Sequence, residues 1–188
     1  MSEINLTLSL RRRHAEVFLC VKRFVVLVAG RRWGKTVMAV WCLIVNAFSR
    51  KGSICYYIAP TYGQAKRIAW SLLKKLVPPW ARRRTSEQEL LIELRNGSII
   101  QLHGADRPDR LRGVGLDYVV LDEYADMRTE TWSAVIRPAL SNRRGRALFI
   151  GTPRGRNHFY DLYLRRQSSR ELGNFPLSDQ AGWLCSSG

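Results

Sequence analysis

The chain has 188 residues, of which 46% are hydrophobic, and a net charge of +16. That length suits one sizeable core, and no apolar run reaches the roughly 18 residues of a membrane span, so a membrane protein is set aside. An early acid and the lack of an apolar core make the N-terminus a poor signal peptide, so a secreted protein is set aside too and a cytoplasmic one expected. Cys20, Cys42, Cys55 and Cys185 show no metal-type spacing and read as reduced thiols. The basic excess points to a polyanionic partner such as nucleic acid, although a basic fragment parted from an acidic partner domain has the same balance.

The pattern predicts strand and helix in alternation. Residues 24–30, "FVVLVAG", are β-rich and apolar, as a central parallel strand is. Helix follows from Lys35 to about Phe48. "SICYYIAP" (53–60) is a second strand, ended by Pro60. Residues 61–77 have helical spacing, with Ile68, Leu72, Leu73 and Leu76 on one face, and "PP" stops them. Residues 88–104 read as a hairpin, because Asn96-Gly97 between two β-rich runs is a strong turn signal. Residues 107–115 read as a short helix or loop. "LDYVVLDE" (116–123) is a buried strand, 129–140 a helix, "RALFIGTP" (146–153) a strand and 157–167 a weak helix. This alternation predicts an α/β fold with an open, mostly parallel sheet and helices on both faces. The tail, 168–188, lacks periodicity and reads as disordered, loosely docked or truncated.

Three stretches carry chemistry. The first is "AGRRWGKT" (29–36), between a strand and a helix. A phosphate loop wants Gly at its first position; Ala29 stands there, with Gly30 beside it. Backbone N–H groups and the helix N-terminus would face phosphates, and Gly34 lets the backbone approach. Lys35 would reach the β- and γ-phosphates of a nucleotide, and the Thr36 hydroxyl would ligate Mg²⁺. The second is the Asp122–Glu123 pair at the carboxyl end of a strand, where an open α/β sheet places ligands. Asp122 is expected as a metal ligand and Glu123 as the general base. The third is "FIGTP" (149–153), where Thr152 would sense the γ-phosphate or its attacking water, or simply end a strand. Arg31, Arg32 and Arg112 are candidate arginine fingers or solvated DNA-phosphate contacts. Trp33 packs beside the loop or stacks on a base. "NRRGR" (142–146) with Arg154 and Arg156 reads as a face for a nucleic-acid backbone.

Together these residues resemble the large terminase subunit of tailed bacteriophages over roughly residues 10–165. "VLVAGRRWGKT" is similar to that family's arginine-bearing Walker A loop and "YIAPTYGQAK" to its next strand and helix. "LRGVGLDYVVLDEYADM" is similar to its Walker B region and "LFIGTPRG" to its coupling motif. The resemblance implies a P-loop NTPase fold of the additional-strand, catalytic-glutamate type, an ATPase domain over 1–167, and a hairpin insertion. It implies that Arg31 acts as a finger within the subunit and that Arg112 reaches a neighbour's ATP. His14, Ala29, Gly30, Arg32, Trp33, Gly34, Lys35 and Thr36 would hold the nucleotide. The implied partners are double-stranded DNA, a portal protein, a small terminase subunit and a homo-oligomeric ring, a pentamer. Two departures stand out. His14 occupies the place of a glutamine that reads adenine, which puts adenine selectivity in question. The family's full chain continues into a nuclease, whereas this tail offers only Glu171 and Asp179, so no nuclease activity is expected here. Other readings are a different nucleic-acid-stimulated P-loop ATPase, or a non-catalytic DNA-binding prophage remnant.

Overall fold

Eight strands form one sheet at the centre of the computed structural model, which describes residues 12–152, 155–164 and 172–175. They are β1 (Phe24–Val28), β2 (Ile54–Ala59), β3 (Arg82–Ser86), β4 (Leu91–Leu94), β5 (Ile99–Gly104), β6 (Tyr118–Asp122), β7 (Arg146–Gly151) and β8 (Leu172–Phe175). Their order across the sheet is β3-β4-β5-β2-β6-β7-β1-β8. All pairs from β5 to β8 are parallel, whereas β3-β4 and β4-β5 are antiparallel. Thus the expected hairpin is present, turned through Asn96 and Gly97, and its second strand joins the parallel sheet. β7 stands between β1 and β6, which sets the loop after β1 one strand away from the acids after β6.

Helices close both faces. The first, α1, is Arg12–Phe18, and α2 is Lys35–Ser49. A continuous run of Tyr62–Ala65, Lys66–Trp70 and Ser71–Leu76 makes α3. Thr131–Ile136 and Arg137–Ser141 make α4, and α5 is His158–Leu164. Every residue of β1 and β6 is buried, as expected for strands covered on two sides. Alternation then sorts their side chains. Val25 and Leu27 join Met38, Leu43, Tyr57 and Leu73 beneath α2 and α3. Val26, Leu121 and Phe149 join Ile136 and Leu140 beneath α4. Each fully buried side chain of this size contributes about 1.5–3 kcal/mol, and truncating Leu43 or Phe149 to Ala would cost about 2–5 kcal/mol.

Three features depart from the sequence reading. β3 reads "RRRTS" and has no apolar alternation; pairing with β4 and the Arg83–Glu93 and Arg84–Glu89 ion pairs hold it instead. Residues 172–175, within the segment expected as a loose tail, pair in parallel with β1. In α3 the middle segment is a π-turn, which holds more residues per turn than an α-helix and so shifts the phase of the buried stripe. Ala65, Ala69, Trp70 and Leu73 are buried, whereas Ile68, expected on the packed face, is 38% exposed. The start of α3 is set by a capping box: Thr61 accepts from the Gln64 N–H, and the Gln64 side chain accepts from the Thr61 N–H. Gly104 of β5 lies against this turn so closely that a Cβ would sit 2.2 Å from the Tyr62 nitrogen.

Candidate active site

The carboxyl ends of β1, β6 and β7 frame a cleft of about 500 Å³. Arg31, Arg32, Trp33, Gly34, Lys35 and Thr36 line one side, and Asp122, Glu123 and Thr152 line the other. Pro60, just after β2, and Gln64 and Ile68 of α3 close it. Five residues expected to do chemistry, spread from Lys35 to Thr152 along the chain, therefore meet at one place.

The loop between β1 and α2 owes its shape to backbone conformations that few side chains favour. Gly34 has φ 93° and Arg32 φ 65°, both left-handed. Lys35 folds back, its Nζ donating to the carbonyls of Ala29 at 2.6 Å and Gly30 at 3.0 Å. An ammonium has three donors, so one remains for a phosphate oxygen. Burial lowers the Lys35 pKa, and the nearby Glu123 and Asp122 charges oppose that shift.

Asp122 is 3% exposed. Its Oδ2 accepts from the Tyr57 hydroxyl and its Oδ1 from the Glu123 N–H at 2.9 Å. Burial pushes its carboxyl up to about 6, against these hydrogen bonds. Tyr57 is fully buried, and its hydroxyl also meets the Thr36 side chain. Burial and the Asp122 charge hold the phenol's pKa well above its usual value. One phenol thereby joins the two expected metal ligands from below. These are hard oxygen donors, the kind Mg²⁺ takes, so the residues fit that ion.

Glu123 ends the strand with φ 49°, a left-handed conformation unusual outside glycine. This turn aims its carboxylate across to β7. There Oε2 accepts from the Thr152 N–H and Oε1 from the Thr152 hydroxyl, both at 3.2 Å. Thr152 is thus in direct contact with the expected general base.

Two candidates lie elsewhere. His14 of α1 does not line the cleft: its Nε2 is 3.1 Å from the Trp33 carbonyl, and its ring packs edge-on to Trp33 at 4.5 Å. A Cβ on Gly34 would lie 3.2 Å from that ring, so His14 packs directly against the loop. Arg112 is exposed, pairs with Asp109 at 3.2 Å and lines an adjoining pocket that shares Pro60 and Asp126 with the cleft. Arg31 and Arg32 are exposed on the loop itself. Arg154 lies outside the described residues.

Sequence reasoning missed Tyr57 and Gln64. Tyr57 read as one more apolar residue in a strand, and only the pairing of β2 with β6 sets it under Asp122. Gln64 read as part of a helix start; its Thr-x-x-Gln spacing signals a capping box but not what else the amide faces.

A family profile described as "Terminase large subunit, T4likevirus-type, N-terminal" matches residues 26–176. The chain belongs to the terminase large subunit family. It is 36% identical over 160 residues to the terminase large subunit of Thermus phage G20c, covering 72% of this chain and 32% of that protein. It is 32% identical over 145 residues to that of Escherichia phage T5, covering 75% and 33%. The chain therefore spans about a third of the length of these relatives. Among solved structures, the large terminase ATPase domain of Thermus phage P74-26 superposes with a TM-score of 0.75 at 31% identity, covering 88% of this chain and 74% of that one. The large terminase of a second thermophilic bacteriophage, solved in complex with ATP-gamma-S, shares the fold with a TM-score of 0.71 at 18% identity, covering 87% and 43%. The fold of this terminase chain is that of a P-loop NTPase, with β7 as the additional strand between the phosphate loop and the acids.

Proposed function

We propose that this chain is the ATP-hydrolysing motor domain of a phage terminase, which couples Mg-ATP hydrolysis to translocation of double-stranded DNA. The contact of Glu123 with Thr152, across the cleft from Lys35, carries the proposal. A carboxylate held by two donors from the neighbouring strand is a positioned base. It also changes partners when it works, and that change would be felt along β7.

In this reading the triphosphate lies over the loop, with Lys35 and the backbone N–H groups on its phosphates. Thr36 and Asp122 would hold Mg²⁺, which when bound would neutralise charge on the phosphate oxygens. Glu123 takes a proton from water, and the water oxygen bonds to the γ-phosphorus. The bond from that phosphorus to the bridging oxygen breaks, and the electron pair leaves with ADP. Arg31 stabilises the developing charge from within the subunit, and Arg112 from a neighbouring one in a ring. A portal protein, a small terminase subunit and a pentameric assembly complete the proposed machine.

The basic excess supports DNA as the track, bound through phosphate contacts. The test is the ATPase rate of the full chain with Mg²⁺, measured with and without double-stranded DNA. Mg²⁺-dependent turnover that DNA accelerates is expected. A chain that binds no ATP would overturn the reading.

A further inference from the structure

Gln64 stands in the cleft with no part in the chemistry so far. Its side-chain oxygen accepts from the Thr61 N–H at 3.1 Å, which leaves the amide nitrogen and its two N–H donors for another partner. That nitrogen donates to no described residue. Gln64 lines the same cleft as Lys35, Glu123 and Thr152. Its turn is fixed twice, by the capping box and by the close approach of Gly104 beneath Tyr62.

A capping box works with Glu as well as with Gln at this position, because only a side-chain acceptor is needed. Helix formation alone therefore does not require an amide here. What Gln adds is a neutral donor, anchored by its own oxygen, in a cleft where the Lys35 ammonium and the loop would take phosphate. We infer that Gln64 donates a hydrogen bond to the γ-phosphoryl oxygens of ATP. It would then act as a catalytic residue that both recognises the third phosphate and stabilises charge on the transferred group. This rests on the nucleotide reading of the cleft and assigns it a further ligand.

The experiment compares the full chain with Gln64→Glu, Gln64→Met and Thr61→Ala. Affinities for ATP-gamma-S and for ADP are measured by calorimetry, turnover by phosphate release, and stability by thermal unfolding. In Gln64→Glu the cap acceptor survives and the donor is lost, so Tm should hold while turnover and the preference for ATP-gamma-S over ADP both fall. Gln64→Met removes the donor without adding charge. It should lower that preference by about tenfold or more, the size of one hydrogen bond to a charged group, with ADP affinity unchanged. Thr61→Ala removes the other half of the cap and leaves the amide anchored on the Thr61 N–H. It should lower Tm and leave the nucleotide preference intact. The inference fails if Gln64→Met keeps the wild-type preference and turnover, or if Thr61→Ala loses as much of both. If the wild-type chain itself binds neither nucleotide, the reading of the cleft fails first, and that outcome is recognised before any variant is made.

Discussion

Asp117 and Asp122 bracket the same strand, β6, and are handled in opposite ways. Asp117, just before the strand, meets Arg50 at 3.1 Å and Arg143 at 2.9 Å, and also accepts from the Ile54 N–H at 2.9 Å. Asp122, at the far end, has a phenol and a backbone N–H as its hydrogen-bond partners. The first acid clamps β2, α2's C-terminal end and the turn before β7 into one corner. The second is buried without an ion pair among the described residues, and burial, with the Glu123 charge beside it, raises its carboxyl's pKa. An acid surrounded by guanidinium groups is a fastener. A buried acid that lines a cleft, hydrogen-bonded by neutral donors, carries an electrostatic cost that a bound cation would relieve.

Substitutions can break this contrast or sharpen it. The largest effect is expected from Lys35→Ala. It should weaken ATP binding by roughly a hundredfold or more, the worth of its charged hydrogen bonds, as read by calorimetry. Unchanged affinity would place the phosphates elsewhere. Next, Glu123→Gln should keep ATP binding and slow hydrolysis roughly 10²–10⁴-fold, the usual contribution of a general base. Wild-type phosphate release in that variant would move the base to another group.

The two aspartates then give a matched pair. Asp117→Asn should destabilise the chain by about 1–2 kcal/mol in urea unfolding, a modest loss because both arginines are partly exposed and screened. Its nucleotide affinity should not change. Asp122→Asn should lose Mg²⁺-dependent turnover, yet leave the unliganded chain at least as stable as wild type at pH 7. A cost there equal to that at 117 would erase the distinction. The pH dependence follows with its sign. The folded-state value near 6 lies above the ordinary value of 3.8, so protonation of Asp122 favours the fold. Unliganded wild type should gain stability from this group as pH falls through about 6, with the gain complete near pH 4. Asp122→Asn should lack that increment. The smallest effect belongs to Tyr57→Phe, which removes one buried hydroxyl donor and should cost about 1 kcal/mol, read by thermal unfolding.

How much of this was legible beforehand depended on whether residues close in sequence carry the information. The parallel strands announced themselves because burial on both faces demands unbroken apolar runs such as "FVVLV" and "YVVLD". Lys35, Thr36, Asp122 and Glu123 were visible because each ends or follows such a run. β3 was hidden because backbone pairing and ion pairs to β4 and the turn before it, not apolar periodicity, hold "RRRTS" in place. The outward turn of Ile68 was hidden because a π-turn changes the period on which helical spacing is counted. Tyr57 and Gln64 needed strand order and cleft shape, which no local pattern encodes. His14 was visible only through its place before the first strand; its contact with the Trp33 carbonyl and ring, which seats it against the loop, needed the fold.

The gap left by the absent side chain of Gly104 has a consequence beyond packing. The first turn of α3 is seated in it, so a single methyl group on β5 would act as a wedge, prying that wall of the cleft away without touching the phosphate loop. The width of the cleft is thus set partly at a strand two places removed from the acids.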